Sequence, residues 1–228
     1  MRRAQLAAAA IVAAVGVAGS GCARADPNHD VHSARCAVGF LNVGGRTQSP
    51  TGGEWGSGTG DLLAATSAYH LGRLSKLSPD ERLARVRAAA RWFGHAPEAF
   101  STIAVECDRE RADVIVGLGN AAPASLPTGD DLTDARCFMR AAATLAVLGA
   151  GQVPALAGAQ PEQRTARLTM SFAAGALAAA FPAARWQADL ARAGTVEPAR
   201  ARRETGECAS RYSADWMPML KAAGDAIH

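Results

Sequence analysis

Four cysteines, Cys36, Cys107, Cys137 and Cys208, follow an N-terminal segment built like a secretion signal, and this combination constrains the chain more than any other feature. Met1-Arg2-Arg3 is a short basic start and Leu6 through Val17 is an unbroken apolar run. Gly19-Ser20-Gly21 then leads to Ala23-Arg24-Ala25, a small-x-small cleavage pattern. The apolar run falls short of the roughly 20 residues that a membrane-spanning helix needs. Residues 1–25 therefore read as a removable signal, and the rest is expected to fold where thiols oxidise. An even number of cysteines in such a chain reads as disulfides, with three connectivities open to four residues.

The signal also carries the apparent charge. The chain has 24 basic and 21 acidic residues. Loss of Arg2, Arg3 and Arg24 removes three of the basic ones and leaves 21 against 21. A neutral body lacks the basic surface that phosphate backbones require, so nucleic acid is not an expected partner. One alternative at this end concerns Gly19-Ser20-Gly21-Cys22, which resembles a lipobox and would imply a signal of residues 1–21 with Cys22 acylated. Ser20 and Gly21 fit that pattern; Gly19 departs from it, since Leu, Val or Ile is usual there.

The flanks of the cysteines repeat. Ala34-Arg35-Cys36 returns as Ala135-Arg136-Cys137 and Glu106-Cys107 as Glu207-Cys208, both after 101 positions. Residues 79–86 also resemble residues 161–168, at a shift of 82, so gaps are needed on either side. The order of landmarks suggests two tandem units, residues 26–122 and 123–228. If the units are real, the economical pairing is Cys36 with Cys107 and Cys137 with Cys208. Each pair would close a long loop, worth roughly 4 kcal/mol on the chain-entropy account. That pairing would bring Arg35 near Glu106 and Arg136 near Glu207 as rim salt bridges of small energetic weight.

Periodicity points to helices. Ser78-Pro79-Asp80-Glu81 is a strong start signal, with Ser as cap, Pro in the first turn and Glu three residues after the cap. Leu83, Val86, Ala90 and Phe93 share one face of the helix that follows. Pro97-Glu98 opens a further helix whose apolar line is Phe100, Ala104, Cys107, Val114 and Leu118. Asp131 to Leu148 is nearly continuous apolar helix, and Pro161 starts another reaching about Phe181. The last runs from Pro198, with Ala201, Thr205, Cys208, Tyr212 and Met219 on one side and Pro218 expected to kink or end it. Asp26 to Ser33 reads as a polar tail, and Gly44 to Gly60 and Gly119 to Gly129 as loops. The expectation is an all-α protein of seven or eight helices, organised as two disulfide-stapled repeats.

Motifs that carry chemistry are few. Gly56-x-Gly58-x-Gly60 has neither the spacing of a dinucleotide loop nor the Lys of a P-loop. No H-E-x-x-H, C-x-x-C or G-x-S-x-G occurs. His29 and His32 could chelate a metal if their segment were helical, but a solvated tail is the reading preferred. Ser67, Tyr69 and His70 read as helix surface plus a core tyrosine. Glu106, Asp108, Glu110 and Asp113, interleaved with Arg109 and Arg111, read as a solvated, salt-bridged face. Trp92 and Trp216 are expected in the core. Trp55, in a glycine-rich stretch, is the one candidate recognition residue. No catalytic, cofactor-binding or metal-ligating residue is assigned. These readings converge on a periplasmic or secreted, non-enzymatic binding or inhibitor-like module of the cell envelope, with a protein partner favoured over a small ligand. The alternatives are an enzyme with an unfamiliar helical site and a structural component anchored in the membrane through Cys22.

Overall fold

The structure, a computed structural model, describes residues 27–46, 57–119, 133–148, 161–180 and 197–225. These residues form seven helices and no strand: α1 (Pro27–Arg46), α2 (Ser57–Arg73), α3 (Pro79–His95), α4 (Pro97–Gly119), α5 (Asp134–Val147), α6 (Pro161–Ala180) and α7 (Pro198–Asp225). None of them is long and apolar enough to cross a membrane. Four starts place Pro in the first turn where the sequence signals it, at Pro79, Pro97, Pro161 and Pro198. Ser78 caps α3 by the expected capping box. Its side chain accepts the Glu81 N–H, and the Glu81 carboxylate accepts the Ser78 N–H at 3.0 Å. Thr133 caps α5 by its side chain alone, which accepts the Arg136 N–H at 3.3 Å.

Three local expectations are corrected. The polar segment before Cys36 is no tail: α1 begins at Pro27, and Asp30 and Ser33 are buried. Its composition hides a helical stripe, because His29, His32, Ser33 and Cys36 recur at three and four positions and face α2 and α4. The glycine-rich stretch is shorter than its composition suggests, since α1 continues to Arg46 and α2 starts at Ser57. Finally, α7 runs through Pro218. That residue is exposed, so water can satisfy the carbonyl that its ring leaves without a donor. Cys22, Trp55 and Trp186 lie outside the described residues.

Two disulfides form, Cys36–Cys107 between α1 and α4 and Cys137–Cys208 between α5 and α7, each with a sequence separation of 71. All four cysteines are fully buried. Helix α6 lies on α2 and α5, α1 packs on α2, and α3 packs on α1 and α7. Side chains from both halves join in one cluster that includes Tyr69, Phe93, Phe100, Phe138, Phe172 and Tyr212, so the halves share a core. Trp92 and Trp216 pack against its edge.

At the centre, α2 and α6 cross backbone to backbone. A Cβ on Gly72 would collide with the carbonyl of Phe172 and crowd the amide of Ala176; one on Gly175 would collide with the carbonyl of Tyr69 and crowd the amide of Arg73. The contact is reciprocal, because 72, 69 and 73 become 175, 172 and 176 on adding 103. This crossing relates α6 to α2. The resemblance of residues 79–86 to 161–168 relates α6 to α3; both pack on α4 and α7, but α3 lies on α1 whereas α6 lies on α2 and α5. Gly72→Ala and Gly175→Ala are each expected to cost about 3 kcal/mol by overpacking. Gly206→Ala, with open space around its Cβ, is expected to gain up to about 1 kcal/mol from helix propensity. Urea unfolding of the oxidised protein measures all three.

Candidate functional site

The polar residues that matter gather where α1, α2 and α4 meet, beside the first disulfide. Helix α1 supplies His29 and His32, α2 supplies Tyr69, His70 and Arg73, and α4 supplies Glu106, Arg109, Glu110 and Asp113. Glu110 is the focus. Its Oε1 accepts a hydrogen bond from the Tyr69 hydroxyl at 3.2 Å and lies 3.6 Å from Arg73 Nε. His29 Nε2 is 3.8 Å from Oε1 and His32 Nε2 3.8 Å from Oε2. The Arg73 guanidinium also contacts His29 Nε2. Above this cluster opens a hollow of about 580 Å³, lined by His29, His32, Glu106, Arg109, Glu110 and Asp113.

Burial, then the Glu110 charge, pushes the Tyr69 hydroxyl well above its ordinary range, so it stays a donor. His70, fully buried behind His32, is held neutral: burial takes it down to about 3, against the pull of the Cys107 carbonyl. Its Nε2 is 3.0 Å from that carbonyl, which can only accept, so Nε2 carries the hydrogen and Nδ1 is a bare lone pair with no hydrogen-bond partner. Ser67 donates to the Ala37 carbonyl at 3.0 Å, not to His70. Neither a solvated helix surface nor a nucleophile and base, Ser67 and His70 are core polar groups. Asp30 pairs with Lys76 at 3.2 Å and ties the first turns of α1 to the turn that follows α2.

Of the acidic residues read as a solvated face, Asp108 fits in part: it accepts from Arg111 at 3.0 Å, and also from Thr66 on α2. Glu110 does not fit, since it turns inward. The sequence carried a sign of this, because Cys107 and Glu110 are three apart and so share a face of α4.

The second disulfide is flanked by a different cluster, which the sequence reading missed. Glu204 is buried and receives Arg140 at 2.6 Å, Arg200 at 2.6 Å and Arg136 at 3.0 Å. Thr144 and Thr205 bond beside it at 3.0 Å. The expected partner of Arg136 was Glu207, which instead lies 3.8 Å from Arg203. Glu204 is buried against Arg136 and Arg140 of α5, whereas Glu207 is exposed. Arg35, expected beside Glu106, lays its guanidinium over Trp92 at 4.5 Å. The available signal was Arg136-x-x-x-Arg140, two cations one turn apart on an otherwise apolar face.

Compared with protein-family models, with curated proteins and with solved structures, the chain matches none. The fold and the site together define an all-helical, disulfide-stapled protein with an ionic hollow at one end and a closed ionic cluster at the other.

Burial pushes the Glu204 carboxyl up, but the bonds from Arg140, Arg200 and Arg136 outweigh it and hold the group at about 2, below its ordinary 4.5. Its contribution is present above that ordinary value and is lost as pH falls from 4.5 to 2, about 3 kcal/mol in all. For His70 the unfolded chain takes the proton first, so stability begins to fall as pH drops through 6.5. Acid titration followed by circular dichroism should show two stages. His70→Gln is expected to flatten the upper one. Glu204→Gln is expected to remove the lower one and to cost about 3 kcal/mol at pH 7, because buried guanidinium charge is left uncompensated.

Proposed function

We propose that this chain is exported through a signal of residues 1–25, is oxidised in the cell envelope, and acts there by binding, with the hollow above Glu110 as its ligand site. The observation that carries this reading is the convergence of two imidazoles and three carboxylates on that one open hollow. The ligand is a small cation. Three carboxylates, Glu106, Glu110 and Asp113, and one guanidinium, Arg109, line the hollow, and His29 and His32 add imidazole nitrogens. Arg73 supports the assignment: lying against both His29 and Glu110, it is the resident counter-ion that an incoming cation replaces. Catalysis has less support, because the cluster pairs no nucleophile with a base.

A second reading, a protein partner docked over α4, is favoured by Val105 and Val116. Both are exposed, 66% and 60%, on the face that carries Arg109 and Asp113. In either case the protein is periplasmic or secreted, or held at the membrane if Cys22 is acylated.

Intact-mass analysis of native material is expected to find Asp26 at the N-terminus and no alkylatable thiol. An acylated Cys22 would select the anchored form, and an uncleaved Met1 or four free sulfurs would overturn export. For the site, the oxidised protein is titrated calorimetrically with Zn²⁺ and, separately, with a short alkyl diamine. One of these is expected to bind, His32→Ala and Glu110→Gln to weaken it at least tenfold, and Arg73→Ala to strengthen it about tenfold, roughly 1.4 kcal/mol. Silence towards both probes, or binding indifferent to His32, would overturn the cation reading. A copurifying protein lost on Val105→Asp would then replace it.

A further inference from the structure

His32 faces two ways. On one side its Nε2 lies 3.8 Å from the Glu110 carboxylate in the hollow, and on the other 3.4 Å from Cys36 Sγ. The ligand atoms of His32, Cys36 and Cys107 all lie within 4.8 Å of one another. His32 and Cys36 are four apart on α1, and Cys107 and Glu110 three apart on α4, so each pair shares one helix face and the two faces meet. A tetrahedral zinc ion bonds thiolate sulfur at about 2.3 Å and imidazole nitrogen at about 2.05 Å, which puts sulfur and nitrogen about 3.6 Å apart. The observed separation is already close to that.

We infer that the dithiol form of the first cysteine pair is a soft-metal site, with Cys36, Cys107 and His32 as its ligands and the Glu110 carboxylate next to His32, so that this locus is either a disulfide or a thiolate-bound Zn²⁺ or Cu⁺ ion. A dithiol reductant opens the disulfide by exchange: two electrons and two protons pass from the dithiol to Cys36 and Cys107, and the reductant leaves as its own disulfide. Binding of Zn²⁺ then releases the two thiol protons. In reverse, a disulfide oxidant accepts two electrons from the thiolates, the S–S bond forms and Zn²⁺ leaves. The metal's path runs through the hollow, because His32 and Glu110 line it although both cysteines are buried.

The second disulfide is the built-in comparison. At the 101-position shift that relates the cysteines, His32 becomes Thr133 and Glu110 becomes Arg211. A hydroxyl and a guanidinium replace an imidazole and a carboxylate, and among the described residues no third ligand atom gathers at the second pair as His32 does at the first. This inference does not need the small-cation reading above, which concerns the oxidised protein and makes no use of the cysteines. Either can fail alone.

The test uses the full-length mature protein, reduced with a phosphine, freed of it under argon and titrated with Co²⁺. One Co²⁺ per chain is expected, with thiolate-to-cobalt charge transfer in the near ultraviolet, displaced by Zn²⁺. The signal should persist in Cys137→Ser/Cys208→Ser, vanish in Cys36→Ser/Cys107→Ser and need at least tenfold more Co²⁺ in His32→Ala. Should a double variant fail to fold, the reduced wild-type chain with one equivalent of Zn²⁺ is alkylated and the label mapped by peptide mass. Protection of Cys36 and Cys107 with labelling of Cys137 and Cys208 supports the site. Equal labelling of both pairs, or binding that His32→Ala leaves unchanged, overturns it.

Discussion

The approach of α2 to α6 at Gly72 and Gly175 is the constraint on which the other packing depends. With no side chain between the two backbones, a shift of either helix by one residue drives a Cβ into a carbonyl, so register and distance are set together. Two related units packed about a two-fold axis make contacts of this reciprocal kind. Once the central pair is placed, α1 lies on α2 and α5 on α6, and a disulfide ties each of these outer helices to a partner, α4 or α7.

Alanine explains why such a body uses staples. Much of the buried apolar set is Ala, including Ala34, Ala37, Ala68, Ala89, Ala90, Ala141, Ala173 and Ala174. Each buried methyl removes little apolar area from water, about 25 cal/mol per Å² at most, so close helix approach gains contact density more than hydrophobic free energy. Large residues are concentrated at a few points, such as the stack of Phe172 on Tyr212 at 4.6 Å and the edge contact of Phe40 with Phe100 at 5.1 Å. Two cross-links of roughly 4 kcal/mol each are comparable with the whole net stability of a domain. The cysteines thus replace part of the core that an alanine-rich chain lacks.

Helix-level organisation was legible because its signals are local. Pro79, Pro97, Pro161 and Pro198 mark their starts, the Ser78 to Glu81 box forms as read, and the line through Ala201, Thr205, Cys208, Tyr212 and Met219 is buried throughout. Equal cysteine spacings also led to the pairing observed. Failures came where tertiary context outweighs composition. His29, Asp30 and Ser33 are polar, and only the presence of α2 and α4 turns them from a tail into a packed helix in which Asp30 and Ser33 are buried. The α2 to α6 relation was hidden because residues 66–72 and 169–175 keep only a Thr (Thr66, Thr169), an aromatic ring (Tyr69, Phe172) and the Gly (Gly72, Gly175) in register. Glu204 escaped notice because a buried carboxylate is identified by its three arginines, which come from two helices.

The surroundings of the two disulfides solve the same electrostatic problem differently. At the second end Arg140 stands where the first has Gly39, and together with Arg136 and Arg200 it saturates Glu204, leaving a closed cluster. At the first end Gly39 leaves its space to the Phe100 ring. The carboxylate there, Glu110, meets a single guanidinium and two imidazoles at 3.8 Å, beyond hydrogen-bond distance, and its surroundings open into a hollow. A cluster with only a structural task gains by closing, because each unmet donor or acceptor at a protein boundary costs order or solvation. Glu204 shows that this fold can close one. The arrangement around Glu110 stays open, with the His32 imidazole between that carboxylate and Cys36 Sγ.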